Sequence, residues 1–262
     1  GLHPPTRSPS SRPACSVRGP RSLPSLSRTL AFVYAERTSR LAGAVVWTKG
    51  PVGEGGAARA VLPDGCMDLL WDGERLLVAG PDTGPYLPEG PARCWAGVRF
   101  RPGTAPALLG VPAHELLNQR VELADLWPAA RVRELCDRTA TADDPARALE
   151  DIALGRALAA GPPDPWPHRL VRRLDQGVPV AEAAAELGLG ARTLHRRSLG
   201  AFGYGPKTLA RILRLRRALA LARAGVPYAQ TAIRAGYADQ PHLAREVRRL
   251  AGAPLGELLG DR

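Results

Sequence analysis

Apolar positions run in two different rhythms along the chain. From about Phe32 to Arg101 they alternate with polar ones in short runs: "GAVVWT" (43–48), "CMDLLW" (66–71), "RLLVAG" (75–80) and "CWAGVRF" (94–100). Period-two alternation in β-branched and aromatic text predicts short strands. "PDG" at 63–65 is a turn signal, and "DGE" at 72–74 predicts a hairpin between the second and third of these strands. Several short antiparallel strands in so little chain predict a small barrel or sandwich.

From Thr104 to about Ala160 the pattern turns helical, in "TAPALLG", "PAHELLNQ", "AARVRELCDRTA" and "DPARALEDIALGRALAA". "GPPDPWP" (161–167) cannot continue a helix and predicts a linker. Beyond it short helices are expected at 167–176, 179–187, 191–201, 206–224, 227–235, 239–250 and 254–260. Residues 1–29, rich in Pro, Ser and Arg without periodicity, predict a disordered tail. The expected architecture is therefore α+β. A β-barrel or sandwich with appended helices spans 30–160, a linker follows at 161–167, and an all-α domain occupies 168–262.

The helical part contains a repeat. "PVAEAAAELGLGARTLHRR" from Pro179 aligns with "PYAQTAIRAGYADQPHLAR" from Pro227 at an offset of 48, with one extra residue after the turn. Pro179 meets Pro227, Ala181 meets Ala229, Gly188 meets Gly236 and Leu194 finds Leu243. Each copy predicts a helix, a glycine-containing turn and a second helix with basic residues on its open face, the pattern of a helix-turn-helix.

Charge divides the same way. Residues 166–262 hold 17 Lys/Arg against 7 Asp/Glu, residues 31–165 hold 14 against 18, and the first thirty carry five Arg and no acid. An acidic middle joined to a basic end predicts that the end faces a polyanion. The preference for Arg over Lys is what a GC-rich genome produces, but codon bias does not produce the asymmetry. No run of about 18 apolar residues predicts a membrane span, and the polar, proline-rich start lacks the apolar stretch of a secretion signal. The expected location is cytoplasmic. The cysteines at 15, 66, 94 and 136 show no C-x-x-C spacing, which predicts reduced thiols and no structural zinc. No G-x-S-x-G or H-E-x-x-H is present, and "GLGART" (188–193) lacks the third Gly of a dinucleotide loop. No enzyme activity, catalytic residue, metal or cofactor is expected.

"GPKTLARILRLRRALALARAG" and "AIRAGYADQPHLAREVRRLAGAPLGELL", with the core Gly236, Tyr237, Ala238, Asp239, Gln240, resemble the AraC/XylS family of bacterial transcription regulators over about 95 C-terminal residues. "LPDGCMDLLW" and "GVRFRPGTAPALLGVP" resemble the sensor portion of an uncharacterised branch of that family. The resemblance implies two helix-turn-helix units held by a linker helix, with recognition helices in successive major grooves. It implies promoter or operator double-stranded DNA as partner. It leaves RNA polymerase, a small-molecule effector and a second copy of the chain open as further partners.

On the first recognition helix Arg192, His195 and Arg196 share the outer face, and the family's base-contacting positions fall on them. A solvated surface is the bland alternative, weighed evenly for His195. Ser198 stands where the family generally has an apolar core residue, so either Leu199 rotates in or the helix is looser. On the second recognition helix Leu243, Val247 and Leu250 form the apolar stripe, while Gln240, His242 and Arg245 are expected to reach bases and Arg249 a phosphate. Asp239 is the candidate N-cap. Lys207 is placed for a phosphate, and Arg214, Arg216, Arg217 and Arg223 read as phosphate contacts or plain surface. In the N-terminal half Arg99, Arg101, Trp71 and Cys66 are the candidate effector contacts. Against that stands a sheet with Arg outside, tryptophans in the core and a buried, inert cysteine. Two other functions remain as alternatives: a cysteine methyl-acceptor repair protein fused to an AraC-type reader, and a non-specific architectural DNA binder.

Overall fold

The computed structural model describes residues 34–50, 60–88 and 93–260. The tail expected at 1–29 lies outside them. Among these residues six strands, β1 (Ala35–Thr38), β2 (Ala44–Lys49), β3 (Met67–Trp71), β4 (Leu76–Ala79), β5 (Trp95–Phe100) and β6 (Arg120–Glu122), form one antiparallel sheet in the order β1-β2-β5-β3-β4-β6. The α+β expectation stands, but among the described residues the sheet is open, with β1 and β6 as its edges, and not a barrel or sandwich. The second and third expected strands do form a hairpin. In its turn the Asp72 carboxylate accepts the N–H groups of Glu74 and Arg75 at 2.9 and 2.7 Å.

Strand alternation separates two faces. Val46, Met67, Leu69, Trp71, Leu76, Val78, Val98 and Phe100 point toward the helices α1 (Ala105–Leu109), α2 (Ala129–Thr141) and α3 (Pro145–Ala160) and form the core with them. Trp47, Leu70 and Ala79 make a smaller cluster on the other face, with Leu77 and Trp95 packed against it. Trp47 can lie there because its partner across the ladder is Gly97, where an added Cβ would sit 2.4 Å from the indole.

Glu150 of α3 fastens the first hairpin to this core. Its carboxylate takes five hydrogen bonds, two from Arg37, one from Ser39 and two from Arg40, the last pair including a main-chain N–H at 2.6 Å. Burial alone would raise the pKa of this side chain, which is 1% exposed, but these donors hold it down at about 2.

The C-terminal region is helical: α4 (Trp166–Asp175), α5 (Val180–Glu186), α6 (Ala191–Phe202), α7 (Pro206–Arg223), α8 (Tyr228–Ala235), α9 (Gln240–Ala251) and α10 (Leu255–Leu259). The break before it ends at Pro165, since Pro167 sits in the first turn of α4, where a missing N–H costs nothing. The repeat is visible in the backbone. Gly177 and Gly225, Gly188 and Gly236, and the helix-ending Gly203 and Gly252 all adopt positive φ at matching places. Such turns fall to glycine because a Cβ strains them.

The first unit is thus α4-α5-α6 and the second is α7-α8-α9. The N-terminal half of α7 (Leu209, Ile212, Leu213) packs with Leu170, Leu174, Leu194 and Phe202 of the first unit. Its C-terminal half (Leu215, Ala218, Leu219, Ala222) packs with Ala232, Leu243 and Val247 of the second. The N-terminal region meets this assembly where Thr104 Oγ1 lies 3.0 Å from His168 Nε2, with burial and the nearby Arg101 holding the imidazole below its ordinary pKa.

Candidate nucleic-acid interface

The second unit turns at Gly236 (φ 88°), after which Tyr237 is buried and Asp239 caps α9 by accepting the N–H of His242 at 2.6 Å. Asp239 serves as N-cap because Ala238 has no side-chain acceptor to offer. Leu243, Val247 and Leu250 face inward, leaving Gln240, Arg245 and Arg249 exposed, with Arg248 alongside. His242 differs from expectation. Its ring stands edge-on to Tyr237 at 5.3 Å and its Nδ1 accepts the Ala238 N–H at 3.3 Å, so the imidazole braces the turn instead of projecting from it.

In the first unit Leu194, Ser198 and Phe202 are the buried stripe of α6, and Arg192, His195 and Arg196 are exposed on the opposite side. Ser198 keeps its inward place: it is fully buried, and its Oγ has no hydrogen-bond partner among the described residues. The alternative in which Leu199 takes that position is not adopted. The His195 ring lies against the backbone of Gly205, whose added Cβ would come within 2.7 Å of it. Arg197 turns away, pairing with Asp164 at 3.0 Å and lying over the Trp166 ring.

The arginines of α7 correct a second expectation. Arg217 donates to the main-chain oxygens of Ala235 and Leu174, and Arg214 donates to that of Gly236 while stacking on Tyr237. Arg211 pairs with Glu246 of α9. Neither phosphate contact nor plain surface describes Arg214 and Arg217. Carbonyls at helix C-termini lack intrahelical donors and carry the negative end of the helix dipole, so a guanidinium satisfies them locally. Lys207 and Arg223 are exposed, and Arg216 reaches the Asp64 carbonyl at 3.5 Å.

A helix-turn-helix domain family matches residues 169–260, over both of these units. The C-terminal region is an AraC-type helix-turn-helix domain. DNA-binding regulation of transcription is the function of such AraC-type domains, which belong to typically non-enzymatic proteins. A domain family of unknown function matches residues 44–122, which hold β2 to β6 of the sheet ahead of the AraC-type domain. No curated protein sequence matches the chain. Similar solved structures include an apo ToxT variant from Vibrio cholerae (12% identity, TM-score 0.45, covering 85% of this chain and 99% of that one). Another is ToxT from the same organism bound to an unsaturated fatty acid (11%, 0.44, 85% and 96%).

The candidate effector residues ahead of the AraC-type domain do not gather into one site. Trp71 faces the helices in the main core, on the opposite side of the sheet from Arg99, and so does not line a common surface with it. Arg99 is already paired with Asp68 at 3.3 Å, Glu36 at 3.3 Å and Asp64 at 3.7 Å, which leaves little of its charge for an anionic ligand. Asp68, also bonded to the Trp47 indole at 3.1 Å, is pushed up to about 6 by burial despite Arg99. Arg101 is exposed beside Gly43. Burial, with Asp64 and Asp68 adding to it, pushes the Cys66 thiol well up, which disfavours the reactive thiolate. Among the described residues no helix is long and apolar enough to cross a membrane.

Proposed function

We propose that the chain is a sequence-specific regulator that reads two successive major-groove segments of promoter DNA. The observation that carries this reading is the duplication itself. Two helix-turn-helix units each expose basic residues on the second helix, Arg192 and Arg196 on α6, Arg245 and Arg249 on α9. Arg192, His195, Arg196, Gln240 and Arg245 are assigned to base edges, where an arginine bonds guanine O6 and N7 together. His242 is assigned to the turn. Arg249 and Lys207 are assigned to phosphates. Lys207 stands in the first turn of α7, the positive end of that helix, where a cation opposes the helix dipole and an external anion suits both. The N-terminal sheet and its helices are assigned to effector binding or self-association, in a protein that works in the cytoplasm. Competition at fixed salt between a duplex enriched by the protein and a random duplex tests specificity. Preference of about a thousandfold or more supports the reading, and equal binding would return the chain to the architectural class.

A further inference from the structure

Resting on that reading, we infer that Arg217 is a positioning residue that sets the relative orientation of the two readers, and therefore the spacing of the two DNA segments the protein accepts. Its guanidinium spans both units. Nη1 donates to the Ala235 carbonyl at the end of α8 at 2.9 Å, and Nη2 donates to the Leu174 carbonyl near the end of α4 at 3.2 Å. The glycines on the two sides mark the same position. An added Cβ at Gly177, after α4, or at Gly236, after α8, would meet the same Nη1 at 3.8 and 4.0 Å. One planar head group thus lies between the chain reversals of both units.

Among the other α7 arginines, Arg216 reaches the first unit through an exposed pair with Asp175 at 4.0 Å, which does not extend to α8. The apolar residues of α7 divide between two clusters, one for each unit. Among the described residues Arg211 and Arg214 bond within the second unit, to Glu246 and to Gly236. Arg217 ties α4 directly to α8. The geometry requires an arginine: its fork offers two donors in a fixed plane, whereas a lysine is a point charge that can follow one carbonyl at a time. Both carbonyls stand at helix C-termini, where a positive charge is favoured. The link is partly buried, so solvent screens it less than a surface pair.

Reading two grooves in succession makes this angle a specificity term. Inserting one base pair between two boxes moves the second by about 3.4 Å and about 35° around the axis. A rigid pair of readers cannot follow that shift, and a loosened pair can.

The test uses the full chain and a two-box duplex that it enriches from a random pool, with a second duplex carrying a one-base-pair insertion and a third retaining one box. Arg217→Lys and Arg217→Met are compared with the parent, with thermal unfolding confirming that each is folded. The spacing penalty, the ratio of Kd values for inserted and parent duplexes, is expected to fall about tenfold, the factor set by one charge-assisted hydrogen bond. One-box binding and the salt slope are expected to stay unchanged. An unchanged penalty in a folded variant overturns the inference while leaving the two-reader proposal standing. A salt slope reduced by about one makes Arg217 a phosphate contact and also overturns it. Failure of the parent chain to enrich any duplex removes the proposed function and the inference together.

Discussion

Replacing Glu150 by Gln removes the charge on which β1, the turn after it and α3 converge. Gln keeps the shape and one acceptor oxygen, but sets an amide N–H₂ against Arg37 and Arg40. The pKa falls from 4.5 to about 2, which sets a ceiling of about 3 kcal/mol on the stabilisation. Because Arg37 and Arg40 are about half exposed, screening brings the expected loss at pH 7 to about 2 kcal/mol. A carboxylate with a depressed pKa stabilises fully above its unfolded value, and that stabilisation is lost as the pH falls through the folded value. The gap between parent and variant should therefore be complete at pH 7 and less than half as large at pH 3. Urea unfolding at both pH values, followed by fluorescence, measures it, since Trp47, Trp71, Trp95 and Trp127 all belong to the N-terminal region. A gap that is equal at the two pH values, or absent at pH 7, would refute the assignment.

Ser198→Ala removes a buried hydroxyl that has no partner among the described residues and is expected to raise stability by about 1 kcal/mol, read as a higher melting temperature. A decrease would mean that the hydroxyl is bonded after all. Asp239→Ala should cost about 1 kcal/mol and speed amide exchange at the start of α9, whereas Asp239→Asn should retain most of the cap. Lys207→Ala should weaken binding to all duplexes alike and reduce the salt slope by about one, and a change confined to one sequence would place it on a base.

The helical half was legible in the chain because its punctuation is local. Glycines at the turns, prolines in the first turns of α4, α7 and α9, and an apolar stripe every three or four residues define each helix without reference to distant partners. The edge strands were not legible. In β1 all four residues, Ala-Glu-Arg-Thr, are exposed, and β6 is three half-buried residues inside text that reads as helical. Their existence depends on β2 and β4 offering a free edge. At the site, the exposed face of α6 follows from spacing alone, but the partners of the α7 arginines do not. A positive charge in a DNA-binding domain suggests phosphate, yet Arg214 and Arg217 are consumed by carbonyls that approach only once α7 has packed against α8 and, for Arg217, against α4. His242 fails for the same reason, because the buried Tyr237 that receives its ring is placed by the turn. Ser198 shows the converse: helical spacing kept it inside although its chemistry argues against burial.

The central claim is that α6 and α9 each read a separate segment of DNA. Selection of duplexes from a random pool by the full chain, repeated with Arg196→Ala and with Arg245→Ala, tests it most directly. The account predicts two base clusters about one helical turn apart, with each substitution erasing the preference at one cluster and sparing the other. Enrichment of no sequence, or loss of the same cluster in both variants, would contradict it.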